Sequence, residues 1–179
     1  TVRVIPDRLD LSAYPIRHGE HHRADPVRFV WYGMATNRIG IFAALANLER
    51  LACNGVSVEL TVMDNVPETL LEITDKFPIY HVRWSLEQEN AIIAAHDIAL
   101  CPPYPGPWGK LKTNNRTLVG WACGLPVTTG EDYETLYDLA TLSTERNDQA
   151  KAGYDLLEKA YTVSLTARDW MEIYGEVCA

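Results

Sequence analysis

The chain predicts a Rossmann-like α/β fold, a doubly wound parallel sheet with helices on both faces. Three observations carry that expectation. Short runs rich in β-branched and aromatic residues alternate with helical apolar patterns. Gly, Pro and capping residues punctuate the joins. Two runs, 97–101 and 125–128, read as buried strands with a cationic, amide-rich cluster between them. Strands alternating with helices imply parallel neighbours joined by right-handed crossovers.

The first strand is Val27–Tyr32, ending at Gly33, with Thr36, Asn37 and Arg38 in the loop that follows. Ile41, Leu45, Leu48 and Leu51, with Ala44 and Ala52, recur at helical spacing until Asn54-Gly55 stops the helix. Residues 56–63 alternate as a second strand. Pro67 is placed to open a helix through Leu70, Leu71 and Ile73 to about Lys76, and residues 79–84 form a third strand. Ser85 followed by Gln88 is a capping-box pattern ahead of Leu86, Ile92, Ile93 and Ala95, with the helix reaching His96. Residues 97–101 are the fourth strand. The proline-rich stretch 102–109 can only be a long loop. Asn114 or Thr113 caps a helix through Cys123, Gly124 stops it, and 125–128 is a short strand. After 133–139, amphipathic helices at about 145–161 and 164–177 close the chain.

At 179 residues with 47% hydrophobic content, one well-buried core is expected over 27–179, with 1–26 as a preceding segment and linker. A net charge of -8 argues against nucleic acid as partner, because backbone neutralisation needs clustered Lys and Arg. Any anion site must therefore be local. Cys53, Cys101, Cys123 and Cys178 are widely spaced, which suits reduced, buried thiols and a cytoplasmic setting better than a disulfide framework or zinc site. No apolar run approaches membrane-spanning length, so no transmembrane segment is expected. His18, His21 and His22 lack acid or thiol ligands at metal spacing and read as a solvated loop, and His81 and His96 read as structural. No metal is expected.

The site candidates cluster where strands hand over to helices. Lys112, Asn114, Asn115, Arg116 and Thr117 fall at the start of a helix, where free N–H groups and a partial positive charge favour phosphate. Cations there oppose the macrodipole unless an anion is bound. The alternative is a solvated helix end. Gly33, Asn37 and Arg38 occupy the first strand-to-helix loop on the same sheet edge, although the spacing is neither Gly-x-Gly-x-x-Gly nor a Walker A loop. Gly130, Glu131 and Tyr133 follow the last strand, where Glu131 can accept from sugar or ribose hydroxyls; a solvated turn reads equally well. Trp84 and Ser85 end the third strand and can wall a nucleobase, or simply pack the rim.

Several stretches, taken in order, carry a family resemblance. The segment from Val2 to Asp10 is similar to an interdomain Ile-Pro-Asn-Gly-Val-Asp. Phe29-Val-Trp-Tyr-Gly33, Ala95-His-Asp-Ile-Ala-Leu-Cys-Pro102 and Ala122-Cys-Gly-Leu-Pro-Val127 match a strand-glycine opening, an Ala-Asp-x-x-x-x-Pro stretch and an Ala-x-Gly-x-Pro-Val stretch. Together they resemble the C-terminal, donor-binding half of a GT-B glycosyltransferase of the group 1 class, over nearly the whole chain. Val119 and Leu111 stand where that class usually carries two glutamates. Lys112-x-x-Asn115-Arg116 resembles a divergent branch with a Lys-x-x-Asn-Arg motif and a tyrosine such as Tyr133 downstream.

The resemblance implies a donor domain that binds a nucleotide-diphosphate sugar as substrate, with no other cofactor. Arg38, Lys112 and Arg116 would neutralise the diphosphate during metal-independent transfer, and the glycan, lipid or small-molecule acceptor would sit on a preceding N-terminal domain. The fragment alone would bind donor and transfer little. The full-length protein would be cytoplasmic, with a peripheral position at a membrane left open. A non-catalytic binding or scaffolding module, or a sugar-nucleotide epimerase on the same fold, are the alternatives.

Overall fold

A computed structural model describes residues 5–14, 21–66, 73–107, 109 and 113–178. Five strands form one sheet: β1 (Val27–Tyr32), β2 (Val58–Asp64), β3 (Ile79–Arg83), β4 (Ile98–Leu100) and β5 (Val127–Thr128). Their order is β3-β2-β1-β4-β5, and every neighbouring pair is parallel. The chain therefore winds outward from β1 to β3, then crosses back to lay β4 on the other side of β1. That reversal between β1 and β4 opens a crevice at their carboxyl ends, where doubly wound sheets take ligands.

Period-two alternation sorts the side chains of β1 onto two faces. Phe29 and Trp31 join Leu60, Val62, Ile98 and Leu100 under α1 (Ile41–Cys53) and α4 (Tyr133–Thr141), which contribute Ala44, Leu48, Leu51, Leu136 and Leu139. Val30 and Tyr32 face the other way, with Met63 and Ala99, beneath α2 (Glu89–Ala94) and α3 (Asn115–Ala122). Helices thus cover both faces, as the alternating pattern predicts. Phe29, Val30 and Trp31 are fully buried, and burial of each such side chain stabilises by about 1.5–3 kcal/mol.

Two glycines set close approaches. Gly130 has φ 76, and a methyl group there would stand 2.5 Å from Ala44 Cβ, so only glycine lets the turn after β5 press onto α1. On Gly120 a methyl would lie 2.9 Å from the Tyr32 hydroxyl, so α3 sits tight on β1 through it. Asp132 caps α4, its carboxylate accepting from Thr135 N–H at 3.1 Å.

The long helix α5 (Ser143–Ala160) packs on α3 through Leu157 against Leu118 and Ala122. The amino-terminal segment docks beside it: Leu9 N–H donates to Tyr161 O at 2.9 Å, and Val163 N–H donates to Leu9 O at 3.1 Å. Arg8 then pairs with Asp169 on α6 (Val163–Cys178) at 2.7 Å. Arg146, almost wholly buried, ties α4 to the segment before β1 by donating to Leu139 O, Ala140 O and His22 O.

Several local expectations need correction. The helix opened by Pro67 falls on residues 67–72, outside the described residues, and Ile73 to Lys76 are not helical. The Ser85 capping box does not form; Ser85 O accepts from Gln88 and Glu89 N–H in a turn, and α2 starts later without a side-chain cap. His21 is not solvated: it is buried, its Nε2 within 3.0 Å of Gly124 O and its N–H donating to Asn147 Oδ1. Only Cys123 of the four thiols is fully buried, while Cys53 and Cys178 are exposed. Among the described residues no helix is long and apolar enough to cross a membrane.

Candidate functional site

A cavity of about 330 Å³ opens over the carboxyl edge of the sheet. That is within the size range of small-molecule sites. Its walls are Tyr32, Gly33 and Met34 from the end of β1, Asn65 after β2, Trp84 after β3, Glu89 at the start of α2, and Asn115, Arg116 and Val119 from α3. Four residues expected from sequence therefore meet in one place: Gly33, Trp84, Asn115 and Arg116. The lining is mostly apolar, with one cation and one carboxylate.

Arg116 is held by three elements. Its backbone carbonyl accepts from the Tyr32 hydroxyl at 2.7 Å, and its Nη2 donates to Pro102 O at 2.9 Å. Its side chain passes Gly33, where an added methyl would come within 3.6 Å of Cδ, and its guanidinium carbon lies 5.9 Å from the Trp31 ring centre. Nη1 is buried and has no hydrogen-bond partner among the described residues. An orphaned guanidinium donor carries a desolvation cost that an anion would remove.

Tyr32 and Cys101 support this arginine and are themselves inert. Burial pushes the Tyr32 phenol well above its ordinary range, so it remains a neutral donor. Burial likewise pushes the Cys101 thiol up to about 11, outweighing Arg116 and the hydrogen bond with Tyr32, so no thiolate nucleophile is available near neutrality.

Arg38 lies elsewhere. From the 3-10 segment Ala35–Gly40 its Nε and Nη2 grip the Asp64 carboxylate, with Nη2 2.7 Å from Oδ1, and Nη2 also donates to Val66 O at 2.8 Å. His81 Nε2 completes the group, 3.0 Å from Asp64 Oδ1. Burial alone would push the Asp64 carboxyl up, but hydrogen bonds from Arg38, His81 and Val66 N–H outweigh it and hold the group below the usual carboxylate range. Arg38 thus locks the loop after β1 to the end of β2 and does not line the cavity.

The remaining candidates divide. Asn114 is the exposed N-cap of α3 without a side-chain cap bond, and Thr117 sits one turn in, half-buried and off the cavity wall. Ser85 and Asn37 serve turns, the latter through Asn37 N–H to Met34 O at 2.8 Å. Gly130 O and Glu131 O both accept from Asn47 Nδ2, so this turn is braced against α1. Tyr133, the first residue of α4, packs against the end of α1, its ring centre 3.6 Å from the Arg50 guanidinium carbon and its hydroxyl accepting from Asn54. Lys112 lies outside the described residues.

Sequence reasoning missed Tyr32, Met34, Asn65, Glu89 and Val119 as cavity residues. Met34 carried a legible signal, an apolar side chain directly after a strand-ending glycine; it is 61% exposed at the rim. Among the described residues no group of three or more His, Cys, Asp and Glu side chains is arranged to hold a metal ion. No family model matches the chain, and no curated protein does. The molecule is defined by its fold, a Rossmann-like α/β domain with a cavity at the carboxyl edge of its sheet, an architecture consistent with nucleotide binding.

Proposed function

We propose that this chain is the donor domain of a GT-B glycosyltransferase and binds a nucleotide-diphosphate sugar. The observation that carries this reading is Arg116: a guanidinium at the start of α3, beside the glycine of the first strand-to-helix loop, with one buried and unpartnered donor. A diphosphate supplies the acceptor it lacks and turns an opposed helix dipole into a favourable one. Lys112, four residues earlier, adds charge in this reading, while Trp84 offers a face for the base. Arg38 acts through Asp64, keeping Gly33 and Met34 in place.

Transfer on this account is electrostatic. As the glycosyl–oxygen bond breaks, negative charge grows on the leaving phosphate, and cations already positioned there stabilise the transition state more than the ground state. The acceptor would come from a preceding domain, with the Glu131 side chain and backbone groups near Gly130 holding sugar or ribose hydroxyls. A second reading is a binding module that no longer transfers. Val119 favours it, an apolar wall where the class that the sequence resembles usually carries a glutamate.

Calorimetry with nucleoside diphosphates tests the shared part. Binding should be measurable and should weaken at least about tenfold in a Lys112→Ala, Arg116→Ala double variant, given two lost charge-assisted contacts. Undiminished binding in that variant, or no heat with any nucleotide, would overturn the site.

A further inference from the structure

We propose that the cavity selects guanine, with the Glu89 carboxylate reading the base and Trp84 stacking on it. The inference rests on the nucleoside-diphosphate reading and goes beyond it by naming the base. Glu89 is the sole carboxylate among the residues lining the cavity; its charge also acts on the Tyr14 phenol, but its side chain has no hydrogen bond or ion pair among the described residues. The turn that carries it folds back on the end of β3, Glu89 N–H donating to Ser85 O at 3.0 Å. Trp84, directly before that turn, lines the same cavity and is 41% exposed, so it has a face to offer.

The two charged walls come from different helices, Glu89 from α2 and Arg116 from α3, and no ion pair joins them. A ligand that satisfies both must present N–H donors at one end and an anion at the other. Among nucleobases only guanine meets a carboxylate with two adjacent donors, N1–H and the exocyclic N2 amino group. Adenine and cytosine place a lone pair beside their amino group, and uracil flanks its single N–H with two carbonyl oxygens. Each of those sets an acceptor against a carboxylate oxygen. In a mostly apolar cavity that repulsion is weakly screened, so the mismatch discriminates strongly.

Calorimetry of the chain with GDP, ADP, UDP and CDP, for wild type and Glu89→Gln, decides the matter. GDP should bind about tenfold or more tighter than the others, as one bidentate pair allows. Glu89→Gln should erase most of that preference, weakening GDP while UDP binds as well as before or better, because only guanine uses both carboxylate oxygens as acceptors and the amide no longer repels the uracil carbonyls. Equal affinity for all four nucleotides overturns the guanine assignment. So does a Glu89→Gln loss shared equally by all four, which would assign the carboxylate to ribose hydroxyls. In both cases the nucleotide reading survives if Arg116→Ala still weakens binding. No binding of any nucleotide sinks both, and unchanged circular dichroism shows that the variant is folded.

Discussion

Arg38→Ala should be among the most damaging single changes outside the apolar core. The Asp64 side chain is wholly buried and that of Arg38 is 10% exposed, so water cannot replace the lost guanidinium. The variant leaves a buried carboxylate with only His81 and the Val66 N–H as partners. Breaking a buried pair in this way costs about 3–5 kcal/mol. For a chain of this length that corresponds to a fall in Tm of roughly 6–20 °C, read by thermal or urea unfolding. The pH dependence has a definite sign. Asp64 has a depressed folded pKa, so its contribution to stability is present above the unfolded value near 3.9 and is lost as pH falls through the folded one. The gap between wild type and Arg38→Ala should therefore be widest near neutrality and should narrow below about pH 4. Adding Asp64→Asn to the variant should recover part of the loss. A deficit under about 1 kcal/mol, unchanged by pH, would refute the claim that this pair locks the loop after β1.

Two further outcomes follow from packing and burial. Gly130→Ala forces a positive φ on alanine and a clash with Ala44, and should cost about 2–4 kcal/mol in urea unfolding; a neutral effect would mean the turn is loose. Burial lowers the His96 pKa, with Nδ1 bonded to Ile92 O and Nε2 to Thr61 Oγ1, so the neutral ring stabilises the fold above the unfolded value near 6.5 and that contribution is lost on acidification. Stability should thus drop as pH falls below about 6.5, and His96→Gln should flatten that part of the profile; an unchanged slope would show that other groups carry it.

The sheet was legible because its causes are local. The β-branched and aromatic run at Val27–Tyr32 and the helical spacing of Ile41, Leu45, Leu48 and Leu51 each specify an element without reference to the rest of the chain. The site was legible only in part, since its geometry depends on which helices meet. Arg116 and Gly33 could be assigned to one edge from strand order alone. Glu89 could not: at the first turn of a short helix it looks like any solvated acid, and it reaches the cavity only because α2 and α3 pack side by side. Arg38 read as a free cation because its partner lies 26 residues away. The clue was Asp64 itself, an acid closing the apolar run Val62-Met63, which burial obliges to find a cation. His21 hid in a polar tract for a similar reason, its partner being the Gly124 carbonyl across the fold.

The most direct measurement is a nuclear magnetic resonance titration of the chain with a nucleoside diphosphate, mapping the amide and indole signals that move. The largest shifts should fall on Gly33, Met34, Trp84, Asn115 and Arg116, the residues that meet at the carboxyl edge of the sheet. Shifts confined to the hollow at the opposite edge, around Arg23, Gly55 and Thr141, or no shifts at all, would contradict the account.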